Sequence, residues 1–217
     1  MPEAIIELLE QGAECNLSDK YREGNVIRLP KDGRLIATGD IHGHRRNFER
    51  IVQYADLEGN SDTHLLLHEI IHGGPCDSEG GCLSYELLFD AIRLKLKYPE
   101  QVHFVLSNHD TAFINDSAVM KDGKEMNESM RLALDRAYPI FGDSIKEVMS
   151  EFLCSQALAI RCENRVWLSH SLVQDRYLAD FDYSIFDREL KVKDFVRPGS
   201  VYLLTWGRRH GQGCLDE

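Results

Sequence analysis

The sequence predicts an α/β domain whose first part holds a parallel sheet and whose last part is richer in β-strands. Between residues 34 and 106, apolar runs of strand length alternate with amphipathic stretches of helix length, a pattern typical of βαβ units. After residue 155, two short apolar runs are separated by only Cys162, Glu163 and Asn164, which favours a hairpin. The expected architecture is a four-layer αββα sandwich, in which two mixed sheets lie face to face and are flanked by helices.

Each element of the first part is predicted from the spacing of its apolar residues. Ile5, Leu8 and Leu9 recur at helical spacing, so the first dozen residues are expected to form a helix. The next elements are alternately strands and helices: strand 34–39, helix 44–56, strand 63–69, helix 84–97 and strand 102–106. The stretch 125–153 is mainly helical, and a break is expected around Pro139 and Gly142, since both residue types weaken a helix interior.

The C-terminal part predicts fewer and shorter elements. Residues 156–161 and 165–170 are the strands of the hairpin, 171–199 is polar and aromatic and suggests an irregular segment with a short helix, and Val201–Trp206 is a last apolar run. No linker rich in Pro, Gly or Ser divides the 217 residues, and this length fits one domain. We therefore expect a single domain over residues 1–217.

The composition narrows the class of protein and its partners. A content of 43% hydrophobic and 28% charged residues is ordinary for a soluble globular chain. The net charge of −11, without a long Lys/Arg run, argues against nucleic acid as a partner. No basic signal region begins the chain, no apolar stretch approaches the ~20 residues of a membrane span, and the six cysteines are scattered. We expect a cytoplasmic protein with reduced thiols and no membrane contact.

The motif Gly-Asp-Ile-His-Gly at Gly39–Gly43 follows directly on an apolar run. Its carboxylate and imidazole are two residues apart, and the glycines let the backbone turn sharply. Later strand ends carry similar side chains at Glu69, at the run Asn108–Asp110 and at His170. Because sites in open α/β sheets assemble at the carboxyl ends of strands, these side chains are expected to converge. Mixed oxygen and imidazole donors suit divalent ions such as Mn, Fe or Zn.

The order of these motifs resembles that of the calcineurin-like metallophosphoesterases, in particular the phosphatases of phosphoproteins and dinucleoside polyphosphates. Gly39–Gly43 matches the first block of that family, Gly-Asp-x-His-Gly. Ser107-Asn108-His109-Asp110 resembles its Gly-Asn-His-Glu/Asp block with the leading Gly changed, and Trp167–Ser171 resembles its segment with a strand-end His. The resemblance covers residues 34–206.

The resemblance implies a set of metal ligands. Asp40 and His42 would bind a first divalent ion, Asn108 and His170 would bind a second, and Glu69 would bridge the two. The ions would be Mn, Fe or Zn, and a hydroxide that bridges them would attack the phosphorus atom of the substrate. Two ions about 3.5–4 Å apart suit such an in-line displacement.

The resemblance also implies a proton donor and a class of substrate. His109 would protonate the leaving group as general acid, and Asp110 would hold the imidazole in place. The substrate would be a phosphorylated protein, a dinucleoside polyphosphate or a small phosphoester. The loops that would select among them carry no recognisable signature.

The second block departs from the family pattern Gly-Asp-x-x-Asp-Arg-Gly. Here it is His68-Glu69-Ile70-Ile71-His72-Gly73-Gly74. Glu69 stands for the bridging Asp, His72 for a second Asp, and Gly73 for the Arg that grips substrate phosphate. A phosphate-binding cation must then come from elsewhere, and Arg45 and Arg208 are the candidates, with their neighbours at positions 46 and 209 as alternatives.

The last block of the family is not matched either. Val201–Arg208 resembles the segment that precedes the final metal-binding His, and the chain then ends at Glu217. Either the chain is truncated before that ligand or His210 takes its place. Without a replacement, the second ion would have one ligand fewer and would bind more weakly.

Two other interpretations of these motifs stay open. His68-Glu69-x-x-His72 satisfies the His-Glu-x-x-His pattern of zinc proteases, although the preceding run is strand-like and Gly73 would end a helix. The missing Arg at position 73 and the missing final His also suit a catalytically impaired fold that binds one metal ion or none. Retention of His109 argues for an enzyme.

Overall fold

The computed structural model describes residues 1–121 and 123–208. In these residues the α-helices are α1 (Pro2–Leu17), α2 (Arg45–Ala55), α3 (Ser84–Lys97), α4 (Asn108–Ile114), α5 (Met126–Ala137), α6 (Gly142–Ser155) and α7 (Ser200–Trp206). The strands are β1 (Arg22–Glu23), β2 (Val26–Leu29), β3 (Arg34–Asp40), β4 (Thr63–His68), β5 (Val102–Val105), β6 (Met120–Lys121), β7 (Lys124–Glu125), β8 (Ala159–Cys162) and β9 (Trp167–Leu168). Three 3₁₀ helices cover Asp175–Tyr177, Tyr183–Phe186 and Val192–Asp194.

The strands form two main sheets. Strands β3, β4 and β5 lie side by side in that order and are all parallel. The second sheet has the order β1-β2-β8-β9 and is mixed, since β2 and β8 are parallel and the outer pairs are antiparallel. Strands β6 and β7 form a separate hairpin.

The two sheets pack against each other through alternate residues of their strands. On β4, Leu65 and Leu67 belong to a core cluster with residues of α1, α3 and α6, whereas Leu66 belongs to a cluster with Ile27 and Ile160 of the mixed sheet. Successive side chains of a strand point to opposite faces. One face of the parallel sheet is therefore covered by helices and the other by the mixed sheet, which confirms the predicted α/β class.

Most elements predicted for residues 34–106 are confirmed within one or two residues, and helix 84–97 has the predicted bounds. Strand β2, helix α4 and the β6–β7 hairpin had not been predicted. The apolar run Val201–Trp206 is part of helix α7, and the segment 171–199 holds the three 3₁₀ helices. The predicted break near Pro139 and Gly142 separates α5 from α6.

The structure bears on two predictions from composition, the absence of a membrane span and the state of the cysteines. Within residues 1–121 and 123–208, no helix has both the length and the apolar character of a membrane span. Cys76 and Cys82 are free thiols that lie opposite each other in an isolated backbone bridge. The cytoplasmic location stays a prediction.

Candidate metal centre

Three candidate segments lie at the carboxyl edge of the parallel sheet. Asp40 is the last residue of β3, Glu69 directly follows β4, and Asn108 and His109 are the first two residues of α4, just beyond β5. His170 comes from a different sheet, because it lies two residues beyond β9 of the mixed sheet. The cluster therefore forms where the two packed sheets meet at one edge.

The turn after β3 is held against the turn after β4 by backbone contacts. The His42 amide donates to the Glu69 carbonyl at 2.8 Å, and the Gly43 amide donates to the Ile70 carbonyl at 2.7 Å. A Cβ atom on Gly43 would lie 2.5 Å from the Gly73 carbonyl oxygen, so the two turns can approach this closely only without a side chain there. His42, at φ +47°, is thereby brought beside Glu69.

Glu69 is the centre of the cluster. Its Oε1 lies 3.4 Å from Nε2 of His109 and 3.8 Å from Nε2 of His42, and its Oε2 lies 3.5 Å from Nδ1 of His170. The residue is buried and has a φ of +43°, which turns the chain at the end of β4. One carboxylate thus contacts imidazoles from three separate segments.

A second group of donors lies beside the first. Asp40 Oδ1 is 3.6 Å from Nδ1 of His68, and Nε2 of His68 is 3.1 Å from Nδ1 of His170. The potential ligand atoms of Asp40, His68 and His170 all lie within 4.8 Å of one another, and the same holds for those of His42, Glu69 and His109. His68 had not been predicted as a site residue.

The donor set fits divalent metal ions. Glu69 Oε2 is buried and has no hydrogen-bond partner among the described residues. His42 Nδ1 lies 3.1 Å from the Ile71 carbonyl, to which it can donate, so its Nε2 lone pair is directed at Glu69. Such a backbone bond to the second ring nitrogen is typical of metal-binding histidines. Carboxylate oxygens together with imidazoles suit Mn, Fe or Zn.

The pKa values of the cluster reflect its burial. Burial, with the nearby charges of Asp40 and Asp110, raises the pKa of Glu69 to about 9. Burial also lowers the pKa of His109 and of His170 to about 4. The imidazoles are therefore neutral at pH 7, with lone pairs available to a metal ion, whereas the central carboxyl group holds a proton until a cation replaces it.

Comparisons with known proteins bear on the family and the fold of the chain. A family model described as calcineurin-like phosphoesterase matches residues 33–205, most of the chain. The chain belongs to this family. A protein serine/threonine phosphatase from Saccharomyces cerevisiae with similarity to human phosphatase PP5 has a similar fold, with a TM-score of 0.62 at 14% identity over 95% of this chain. This chain covers 58% of that one. A search of the curated proteins found no match.

In this chain the predicted contact between Asp110 and His109 is replaced by two others. Asp110 Oδ2 accepts from the Ser107 amide at 2.9 Å, and Ser107 Oγ accepts from the Asp110 amide at 3.2 Å, which forms a capping box at the start of α4. The Asp110 carboxyl also bonds with the side chain of Gln156. Asp110 therefore positions the helix that carries His109, and it does not hold the imidazole itself.

The group within hydrogen-bond distance of His109 Nδ1 is His72. The Nδ1 atoms of the two residues lie 2.9 Å apart, and His72 is completely buried. Burial lowers the pKa of His72 well below its usual value, so its ring is neutral. Where the resemblance implies a carboxylate, this chain places a neutral imidazole beside His109.

Asn108 and Arg45 take less part in the cluster than the resemblance implied. Asn108 is buried at the first position of α4, but the side-chain contacts that link the described site residues do not include its amide. Arg45 donates to Asp90 of α3 at 2.7 Å, so its charge is already paired. This contact therefore does not support the predicted role of Arg45 in substrate binding.

Two other cations lie near enough to act on the site histidines. The positive charges of Lys121 and Arg208 add to burial in lowering the pKa of His109. Lys121, at the end of β6, acts in the same direction on His42 and His72. Lys121 was not predicted as a site residue, because the hairpin that carries it had not been predicted. Arg209 and His210 lie outside the described residues.

The zinc-protease pattern does not form a helix. His68 is the last residue of β4, and Glu69 and His72 have φ values of +43° and +65°. The protease arrangement needs both histidines on one face of a continuous helix. That interpretation is wrong for this chain.

Proposed function

We propose that this chain hydrolyses phosphoesters or phosphoanhydrides at a centre of two divalent metal ions. The ions would be held by Asp40, His42, Glu69, Asn108 and His170. The observation that carries the proposal is the position of Glu69. Its two oxygens contact imidazoles from three segments, and its Oε2 is buried without a hydrogen-bond partner among the described residues. Membership in the calcineurin-like phosphoesterases supports this chemistry.

His109 is the proposed general acid. When bound, the ions would neutralise phosphate charge and lower the pKa of the attacking water. His109 lies at the start of α4, and its Nε2 points to the same Glu69 oxygen that faces His42. Its pKa of about 4 leaves only a minor protonated form at pH 7, and in that form the imidazole can deliver a proton to the leaving oxygen. Ser107 and Asp110 fix the helix start that carries it.

Substrate binding is proposed for Arg208 and Lys121. Both lie close enough to affect His109, and Gly73 provides no side chain where the family has its phosphate-gripping Arg. Arg208 is exposed and Lys121 is partly exposed, so both can reach an incoming phosphate. The substrate would be a phosphorylated protein, a dinucleoside polyphosphate or a small phosphoester.

An aryl phosphate assay with and without added Mn²⁺ tests the proposed function. We expect hydrolysis that depends on Mn²⁺ and that a chelator abolishes. The matched control is a His109→Ala variant purified in the same way, which guards against a contaminating phosphatase. A rate equal to that of this variant under all conditions would contradict the proposal.

The second candidate function is a metal-binding fold without turnover. It is favoured by the contact between His72 and His109, because a neutral imidazole stabilises a protonated His109 less than a carboxylate would. The same assay separates the two candidates, since the inert fold would bind metal but give no rate above the control.

The variant His72→Asp tests how this contact affects the acid. A carboxylate within hydrogen-bond reach of Nδ1 should raise the pKa of His109 by about 1–3 units. His109 would then stay protonated to higher pH, so the pH at which kcat falls on the alkaline side should move upward by a similar amount. The measurement is the pH profile of kcat, with His72→Asn as the neutral control. Superimposable profiles for the two variants would show that position 72 does not act on the acid.

A further inference from the structure

His68 is directed into the metal centre by its place on β4. Successive side chains of a strand alternate between the faces of a sheet. His64, Leu66 and His68 therefore share the face that packs on the mixed sheet, and Leu66 belongs to the core cluster between the sheets. His170 reaches the centre from the mixed sheet. A side chain at position 68 must therefore face the segment that supplies His170.

An irregularity in β3 places Asp40 beside the side chain of His68. The pairing of β3 with β4 runs from Arg34↔Thr63 to Ala37↔Leu66, and then shifts so that Asp40 lies opposite His68. An extra residue in one strand re-aims the side chains that follow it. The His68 amide donates to Thr38 Oγ1 at 3.1 Å, which helps to close the irregular stretch.

Both ring nitrogens of His68 face potential partners. Nε2 lies 3.1 Å from Nδ1 of His170, and Nδ1 lies 3.6 Å from Oδ1 of Asp40. Donors bound to one tetrahedral ion at about 2.0–2.1 Å are separated from each other by about 3.3 Å. The spacing of His68 Nε2 and His170 Nδ1 fits that separation. The remaining nitrogen, facing Asp40, matches the carboxylate contact that orients many metal-binding histidines.

We propose that His68 is itself a metal ligand, and that its Nε2 binds the second ion together with Nδ1 of His170. The inference rests on the proposed two-metal function and deepens it. The family pattern has Gly at this position, so the imidazole of His68 is a donor that the pattern does not provide. His68 would supply this imidazole to the second ion from the end of β4.

The alternative explanation of the contact between His68 and His170 is a hydrogen bond between two imidazoles without a metal ion. The chain contains another imidazole pair of this kind. His64 Nδ1 lies 3.0 Å from His103 Nε2, and His103 Nδ1 lies 3.0 Å from Asp19, whose carboxylate also pairs with the buried Lys95. His64 is on the same strand and the same face as His68. It therefore serves as the matched control for loss of an imidazole pair that does not belong to the metal centre.

The test is a Mn²⁺ titration of the metal-free protein, followed by calorimetry and by the electron paramagnetic resonance of the bound ions. The variants are His68→Asn, His68→Gly, which restores the residue of the family, and the control His64→Asn. We expect about two ions per chain in the wild type and in the control, with the magnetic coupling of a neighbouring pair. Loss of a group behind a ligand costs about 10–100-fold in affinity, so both His68 variants should lose at least about 100-fold for one ion only.

Retention of the first ion shows that a variant still has a folded centre. If neither His68 variant folds, the decision moves to wild-type protein labelled with ¹⁵N-histidine and loaded with ¹¹³Cd²⁺, in which scalar coupling between the metal and His68 Nε2 is expected. Absence of that coupling would overturn the inference, and so would two ions of unchanged affinity in the variants. A wild type that binds fewer than two ions would overturn it as well.

These readouts measure metal binding and do not depend on turnover. A wild type that binds two ions through His68 but hydrolyses no phosphoester supports the ligand assignment and contradicts the proposed function. Hydrolysis that persists with unchanged metal binding in His68→Asn supports the function and contradicts the ligand assignment.

Discussion

His109→Asn is expected to lower kcat on an aryl phosphate by about 10²–10⁴-fold, the range for removal of a general acid, while both metal ions stay bound. Asn can still accept or donate a hydrogen bond at this position, but it cannot give up a proton to the leaving oxygen. The effect should be largest for substrates with poor leaving groups. An activated aryl phosphate, whose leaving oxygen needs little protonation, should lose less.

The measurement combines kcat for two leaving groups with metal content by mass spectrometry. His44→Asn is the matched control, because His44 is an exposed histidine at the start of α2 that lies outside the two donor groups. A variant that loses an ion along with its activity would contradict the role of acid. It would identify His109 as a ligand beside His42 and Glu69, whose donor atoms lie within 4.8 Å of its own.

Glu69→Gln is expected to release metal and to abolish turnover. Glu69 contacts both donor groups, so its loss should weaken the binding of both ions. Loss of a group that hydrogen-bonds to a metal ligand lowers metal affinity about 10–100-fold. Loss of the central carboxylate should lower metal affinity by at least about 100-fold. Glu69→Asp restores the residue of the family and is the matched control, which should keep both ions with the shorter side chain.

The raised pKa of Glu69 predicts that metal binding releases a proton. In the metal-free protein the pKa of Glu69 is about 9, so at pH 7 a cation must displace its proton, whereas the histidines are already neutral and release none. Metal affinity should therefore rise about tenfold per pH unit between pH 7 and 9. Calorimetry in buffers of different ionisation enthalpy measures the proton. Equal proton release by wild type and Glu69→Gln, or full metal retention in the variant, would contradict the central role of Glu69.

Much of the site could be predicted because its residues lie at strand ends. Asp40, Glu69 and Asn108 follow apolar runs of strand length, and parallel strands end at the same edge of a sheet. The convergence of Asp40, His42, Glu69 and His170 follows from this topology. The prediction that His170 joins this cluster required one further inference, that a second sheet packs on the parallel one. The change of pattern after residue 155 indicated this second sheet.

The parts that could not be predicted depend on register and on packing. Asp40 lies beside His68 because of a shift in the pairing of β3 with β4, and no local pattern encodes such a shift. His72 contacts His109 across two turns that meet only in the folded chain, whereas the neighbouring Asp110 was the nearer partner in sequence. The hairpin of Lys121 has strands of two residues each, too short to produce a periodic signal.

The central claim is that Asp40, His42, Glu69 and His170 enclose divalent ions. Crystals of the protein loaded with Mn²⁺, measured at the manganese absorption edge, test it most directly. The account predicts two anomalous peaks inside this cluster, with carboxylate oxygens of Glu69 in contact with at least one of them. Ordered side chains without an anomalous peak between them, in protein that has been saturated with Mn²⁺, would contradict it.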